Sequence, residues 1–103
     1  MTEKDFASSI EELFRLYHWR YCHFRPARTL YGWRTAISGH AGFVDYVAVR
    51  GTRPLYIELK DEKGRVTPDE QIWMDLLKAT GKCEVYLFRP SQWDEIVEIL
   101  RGD

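Results

Sequence analysis

The chain has 103 residues, 30% of them charged and 15% aromatic, and its 15 Lys and Arg against 16 Asp and Glu leave a formal net charge of −1. That length holds one domain, residues 1–103, and a hydrophobic content of 45% supports a small core rather than a disordered tail. No apolar run approaches the roughly 18 residues a membrane helix needs, and the acidic N-terminus lacks a signal-peptide core, so a soluble cytoplasmic protein without a membrane partner is expected.

Thr2 is placed to cap a helix, Asp5 falls at its third position, and Phe6, Ile10, Leu13, Phe14 and Tyr17 recur at helical spacing, which predicts a first helix reaching about Trp19. Arg20 to Phe24 alternates as a short strand. Arg25 to Gly42, with a proline and three glycines, reads as a long basic loop, a length that compact domains mostly reserve for function. Two further strands, Phe43 to Arg50 and Leu55 to Lys60, flank a turn at Gly51 and Thr52 and form a hairpin. Thr67-Pro68-Asp69-Glu70 supplies a cap, a first-turn proline and an acid, opening a helix that carries Ile72, Trp73, Leu76 and Leu77 and stops at Gly81. Cys83 to Phe88 is a fourth strand, and Pro90-Ser91 opens a last helix with Trp93, Ile96, Val97 and Leu100. The order αβββαβα places the chain in the α/β class, with a mixed β-sheet flanked by helices. Cys22 and Cys83 have no zinc-type spacing and read as small buried thiols on strands.

The near-neutral total hides a segregation of charge. Between Leu13 and Val44 there is no Asp or Glu, while Arg15, Arg20, Arg25, Arg28 and Arg34 and all three histidines fall inside. Tyr17, Trp19, Tyr21, Phe24, Tyr31 and Trp33 are interleaved with them. Arginine without local acid steers phosphates, and aromatic rings stack on bases, so this stretch is a candidate nucleic-acid surface. His18 and His23 read as phosphate contacts or solvent-exposed groups, and for His40, two residues before Gly42, lining the site is the lesser of two readings.

The hairpin carries the chemistry. A turn centred between Gly51 and Thr52 pairs residues whose numbers add to 103, which sets Asp45 opposite Glu58. Opposed side chains share a face about 4.5 to 5.5 Å apart, where two carboxylates repel unless a cation lies between them. Lys60, two residues beyond Glu58, projects on that face, while Leu55, Ile57 and Leu59 point into the core. Two acids and a lysine suit metal-assisted phosphodiester hydrolysis: carboxylates are hard ligands for Mg²⁺ or Mn²⁺, and an ammonium can orient or activate water.

With Gly42-Phe43-Val44-Asp45, Glu58-Leu59-Lys60, Gly64-Arg65-Val66-Thr67-Pro68, Trp73 and Phe88-Arg89-Pro90, the chain resembles the VRR-Nuc domain of the PD-(D/E)XK nuclease superfamily, in its stand-alone phage and bacterial form. The resemblance implies a restriction-endonuclease-like core, catalysis with Mg²⁺ or Mn²⁺, and a homodimer that cuts branched DNA such as Holliday junctions. Carried onto this sequence, it makes Asp45 and Glu58 metal ligands, Lys60 the catalytic lysine and Glu3 an auxiliary acid. Glu11 and Glu12 compete with Glu3 but read as a solvated face. Arg20, Arg25, Arg28, Arg34 and Arg65 are the candidate DNA contacts. Two positions depart from the family pattern. Val44 replaces the usual proline before the aspartate, and Glu70 occupies the slot of a glutamine, with Gln71 one residue later. Glu70 as a third metal-site acid, Gln71 as the catalytic glutamine of a shifted turn, and Glu70 as a plain helix cap all remain open from the sequence. The non-catalytic alternative is a DNA-binding or regulatory subunit that kept the fold.

Overall fold

The computed structural model describes residues 2–25, 27–34 and 36–102, apart from the side chains of residues 27–29 and 34. Helix α1 spans Glu3–Leu16, and its Thr2 cap accepts the Asp5 N–H at 3.1 Å. It buries Phe6, Ile10, Leu13 and Phe14, the positions predicted by spacing. The helix ends before Trp19 because His18 turns into the left-handed region at φ 64°, and the Trp19 N–H reaches back to the Phe14 carbonyl at 2.8 Å. Strand β1, Arg20–His23, follows.

Residues 25–42 are not a plain loop. They contain β2 (Ala27–Thr29) and β3 (Gly32–Arg34), an antiparallel ribbon whose tip is Leu30-Tyr31 and whose Gly32 sits at φ 100°. The observed order, with β4 at Tyr46–Arg50, β5 at Arg53–Leu59, α2 at Pro68–Ala79, β6 at Glu84–Phe88 and α3 at Trp93–Arg101, therefore has two strands more than αβββαβα. Three-residue strands carry no alternation long enough to read. A short 3₁₀ turn, Pro90–Gln92, precedes α3.

The main sheet runs β1-β4-β5-β6, antiparallel except for the β5–β6 pair, which is parallel and joined through α2. Tyr46 pairs with Ile57, Val47 with Tyr56 and Ala48 with Leu55, the register set by a two-residue turn at Gly51-Thr52 with Gly51 at φ 61°. The fold is thus mixed α/β, a four-stranded mixed sheet flanked by helices. Tyr46, Ala48, Leu55, Ile57 and Leu59 face α1 and α3 and form the core with Phe6, Ile10, Phe14, Ile96 and Leu100. Burying each large side chain contributes roughly 1.5–3 kcal/mol. Trp19 closes one end of this layer: its Nε1 donates to the Leu100 carbonyl at 2.8 Å, and the Arg50 and Arg53 guanidinium groups lie 4.6 and 5.1 Å from its ring.

Helix α2 covers the opposite face. Phe43 bridges the two, with its ring edge-on to Trp73 at 4.9 Å and to Tyr56 at 6.2 Å. The strand expected from Phe43 begins only at Tyr46, and Gly42 and Phe43 are drawn against α2. Gly42, at φ 89°, lies so close that an added Cβ would sit 2.7 Å from the Asp69 carbonyl carbon. Trp73 Nε1 donates to the Ala41 carbonyl at 3.1 Å. Cys83 is half-buried, whereas Cys22 is exposed on edge strand β1, against the buried-thiol expectation. Among the described residues no helix is long and apolar enough to cross a membrane.

Candidate active site

The antiparallel register brings Asp45, just before β4, to the Glu58 position of β5, on the face toward α2. Asp45 Oδ2 accepts the Leu59 N–H at 2.8 Å, which fixes its carboxylate at the strand end. Glu58 is 2% exposed, a buried acid whose sequence neighbours Ile57 and Leu59 turn to the opposite, core face. It is hydrogen-bonded to Asp45, while its Oε2 is buried without a partner. Burial first, then the hydrogen bond and charge of Asp45, push the Glu58 carboxyl far above the usual carboxylate range.

Lys60 joins the pair from the end of β5. Its ammonium meets Glu70 on α2 at 2.9 and 3.1 Å. Glu70 also accepts the Thr67 N–H at 2.8 Å while the Thr67 hydroxyl accepts the Glu70 N–H, a reciprocal cap. One residue thus starts the helix and anchors the lysine. Burial alone would raise the Glu70 carboxyl, but the Thr67 N–H and the Lys60 ammonium outweigh it and hold it low. Burial works against the Lys60 ammonium, and Glu70, Glu58 and Glu3 reverse that to raise it. Glu3, in the first turn of α1, is raised by partial burial and by Asp45, and it shares a cavity with Asp45. The loop after Lys60 is tied down by Arg89, whose Nη1 donates to the Asp61 and Gly64 carbonyls at 2.6 and 2.7 Å. That gives a structural role to the Phe88-Arg89-Pro90 motif.

The remaining candidates divide. Gln71 is exposed and donates to Asp75 at 2.8 Å along the helix, so it is not brought to the site: one residue on an α-helix is a rotation of about 100°, and Glu70 takes the inward position. Arg25 lines the cavity beside Asp45. Arg20 is exposed opposite Val49, three residues and roughly 10 Å along β1 from the site end. Arg65 is exposed in the loop before α2. The side chains of Arg28 and Arg34 lie outside the described residues. Val44, at the position of the family's proline, is buried. His40 sits on the outer side of α2, where its carbonyl faces Trp73.

A second polar cluster was not visible in the sequence. Tyr46 donates to Glu11 Oε2 at 2.5 Å, His23 Nδ1 lies 3.4 Å from the same oxygen, and the His23 ring stacks on Tyr46 at 4.1 Å. Glu11 is therefore a partner of the core tyrosine and not a solvated acid. Burial holds His23 below its ordinary value against the pull of Glu11. Elements far apart in sequence build this cluster, and only the alignment of β1 with β4, which pairs His23 with Tyr46, predicts it. Glu3, His23, Phe24, Arg25, Trp33 and Asp45 border one cavity of about 540 Å³.

Among the described residues no three His, Cys, Asp or Glu side chains already form a metal cage. Mg²⁺ needs none, since it is ordinarily held by one or two carboxylates, water and substrate phosphate. The orphaned Oε2 of Glu58, buried against a second carboxyl, is the donor chemistry that fits such a cation. Comparison with family models, with curated proteins and with solved structures finds no match to this chain.

Proposed function

We propose that the protein is a divalent-metal-dependent endonuclease that hydrolyses DNA phosphodiester bonds, a VRR-Nuc-like member of the PD-(D/E)XK superfamily with a restriction-endonuclease-like core. The observation that carries this reading is the buried, half-satisfied Glu58 carboxyl beside Asp45, with Lys60 following on the same strand. Asp45 and Glu58 would hold Mg²⁺ or Mn²⁺, with Glu3 as an outer acid. A bound cation supplies Lewis acidity and neutralises charge at the scissile phosphate. Lys60, fixed by Glu70, orients the attacking water and offsets the charge that develops on phosphorus oxygens. Arg25 holds the flanking backbone at the mouth of the cavity.

Branched DNA such as a four-way junction is the proposed substrate, and symmetric incision of it asks for two sites on a two-fold axis, hence a homodimer. Ile72 and Leu76, 55% and 62% exposed on α2, suit such an interface. Incubation of supercoiled and four-way-junction DNA with Mg²⁺ or Mn²⁺, against an EDTA control, tests the activity. Metal-dependent cleavage supports it. Stable DNA complexes without nicking would favour the non-catalytic subunit instead.

A further inference from the structure

The β2–β3 ribbon presents an unusual surface. It forms a two-stranded sheet separate from the main one, and such a ribbon is marginally stable by its own hydrogen bonds. Yet it and its flank expose Leu30 (98%), Trp33 (62%) and Ile37 (54%), with Phe24 (42%) at its base. Exposed apolar groups gathered in one segment mark a contact surface rather than scatter. Trp33 and Phe24 border the same cavity as Asp45, and Arg25 stands between them in sequence.

We infer that this arm is a stacking platform for unpaired nucleotides next to the scissile phosphate, with Trp33 as the residue that selects DNA with a splayed or single-stranded segment at a branch. The inference rests on the nuclease reading and deepens it by naming the substrate feature that is recognised. Charge assigns the occupant. The arm lies within the acid-free stretch 13–44, so a polyanion is drawn to this end. The acids Glu3, Glu11 and Asp45 also line the cavity and disfavour phosphate beside them without a cation. A neutral base against Trp33 and Phe24, with its phosphates toward the lining cations Arg25 and Lys4, fits both the aromatic and the charged lining. Duplex bases are already stacked on each other, and only an unpaired base offers its face to an indole. The cavity volume of about 540 Å³ is in the range of small-molecule sites and accommodates a nucleotide.

The test measures binding of fluorescein-labelled DNA in EDTA, comparing a blunt duplex with a fork that shares the duplex and ends in unpaired arms. The wild type should prefer the fork. Trp33→Ala should weaken fork binding roughly 5- to 150-fold, the range of one lost base–aromatic stack, and leave blunt-duplex binding unchanged. Trp33→Phe should keep most of the preference. A 2-aminopurine placed at the first unpaired nucleotide gives a variant-independent reading: wild-type protein should quench it by stacking. No fork preference, no quenching, or a preference that survives Trp33→Ala would overturn the inference. Nicking in Mn²⁺ is scored separately. A Trp33-dependent preference without cleavage would sink the nuclease reading alone, and cleavage without that preference would sink the platform alone.

Discussion

The β4–β5 hairpin and the β2–β3 ribbon are both two-stranded turns of chain, and they are built in opposite ways. The hairpin is clamped between helices, with Ala48, Leu55 and Ile57 fully buried, Asp45 held by the Leu59 N–H and Lys60 held by Glu70 of α2. The ribbon forms a two-stranded sheet of its own and exposes Leu30 and Trp33. Reacting groups must be placed within a fraction of an ångström, which a packed strand pair provides, whereas a surface that receives a flexible strand gains from being open. The comparison predicts that changes in the hairpin remove chemistry and spare DNA affinity, while changes near the ribbon alter affinity and spare chemistry.

The largest effect should come from Asp45→Asn or Glu58→Gln. Either substitution removes a charge the cation needs, so nicking should fall by 10³-fold or more, on the scale of losing the metal's contribution. Binding to junction DNA should hold in both variants and tighten in Asp45→Asn, where an acid that repels phosphate has gone. Equal nicking by both variants would break the assignment. Lys60→Ala comes next, with a loss of roughly 10²-fold in the cleavage rate, and metal binding should persist because no ligand is removed.

The third prediction concerns pH. The Glu58 carboxyl is raised from 4.5, so above that value the unfolded chain is ionised while the folded chain keeps its proton. The Glu58 contribution to metal-free stability is therefore greatest at and below about pH 4.5 and declines as the pH rises from there. Glu58→Gln, which cannot ionise, should match the wild type near pH 4.5 and melt at a higher temperature than it at pH 8 in EDTA. A variant that melts lower at pH 8 would mean that the glutamate is charged and stabilising in the absence of metal. The smallest effect belongs to the ribbon's flank. Arg25→Ala should reduce the slope of log K against log salt on duplex DNA by about 0.9, one phosphate contact, without moving the cleavage positions.

The same contrast explains what could be read from the sequence. The turn at Gly51-Thr52 and strict alternation determine the hairpin register, so Asp45 opposite Glu58 was derivable before any coordinates. Thr67-Pro68 likewise announces α2. The ribbon was hidden because its strands are three residues long and Trp33 stays 62% exposed, so no hydrophobic period marks them. The end of α1 escaped because His18 adopts a left-handed conformation that no glycine signals. Glu70 against Gln71 turned on a single helical step, settled by the Thr67 cap and the Lys60 ion pair, which is a tertiary contact. The Glu11–Tyr46–His23 cluster joins α1, β4 and β1 and has no local signature.

Titration calorimetry with Mn²⁺, run at pH 7 in two buffers of different ionisation enthalpy, tests the central claim most directly. A carboxyl that is protonated in the free protein must give up its proton to bind a metal. Wild-type protein should bind Mn²⁺ with release of about one proton, and Glu58→Gln should lose both the binding and the proton release. Mn²⁺ binding of equal affinity in Glu58→Gln, or no Mn²⁺ binding by the wild type with or without DNA, would contradict a metal site built on Asp45 and Glu58.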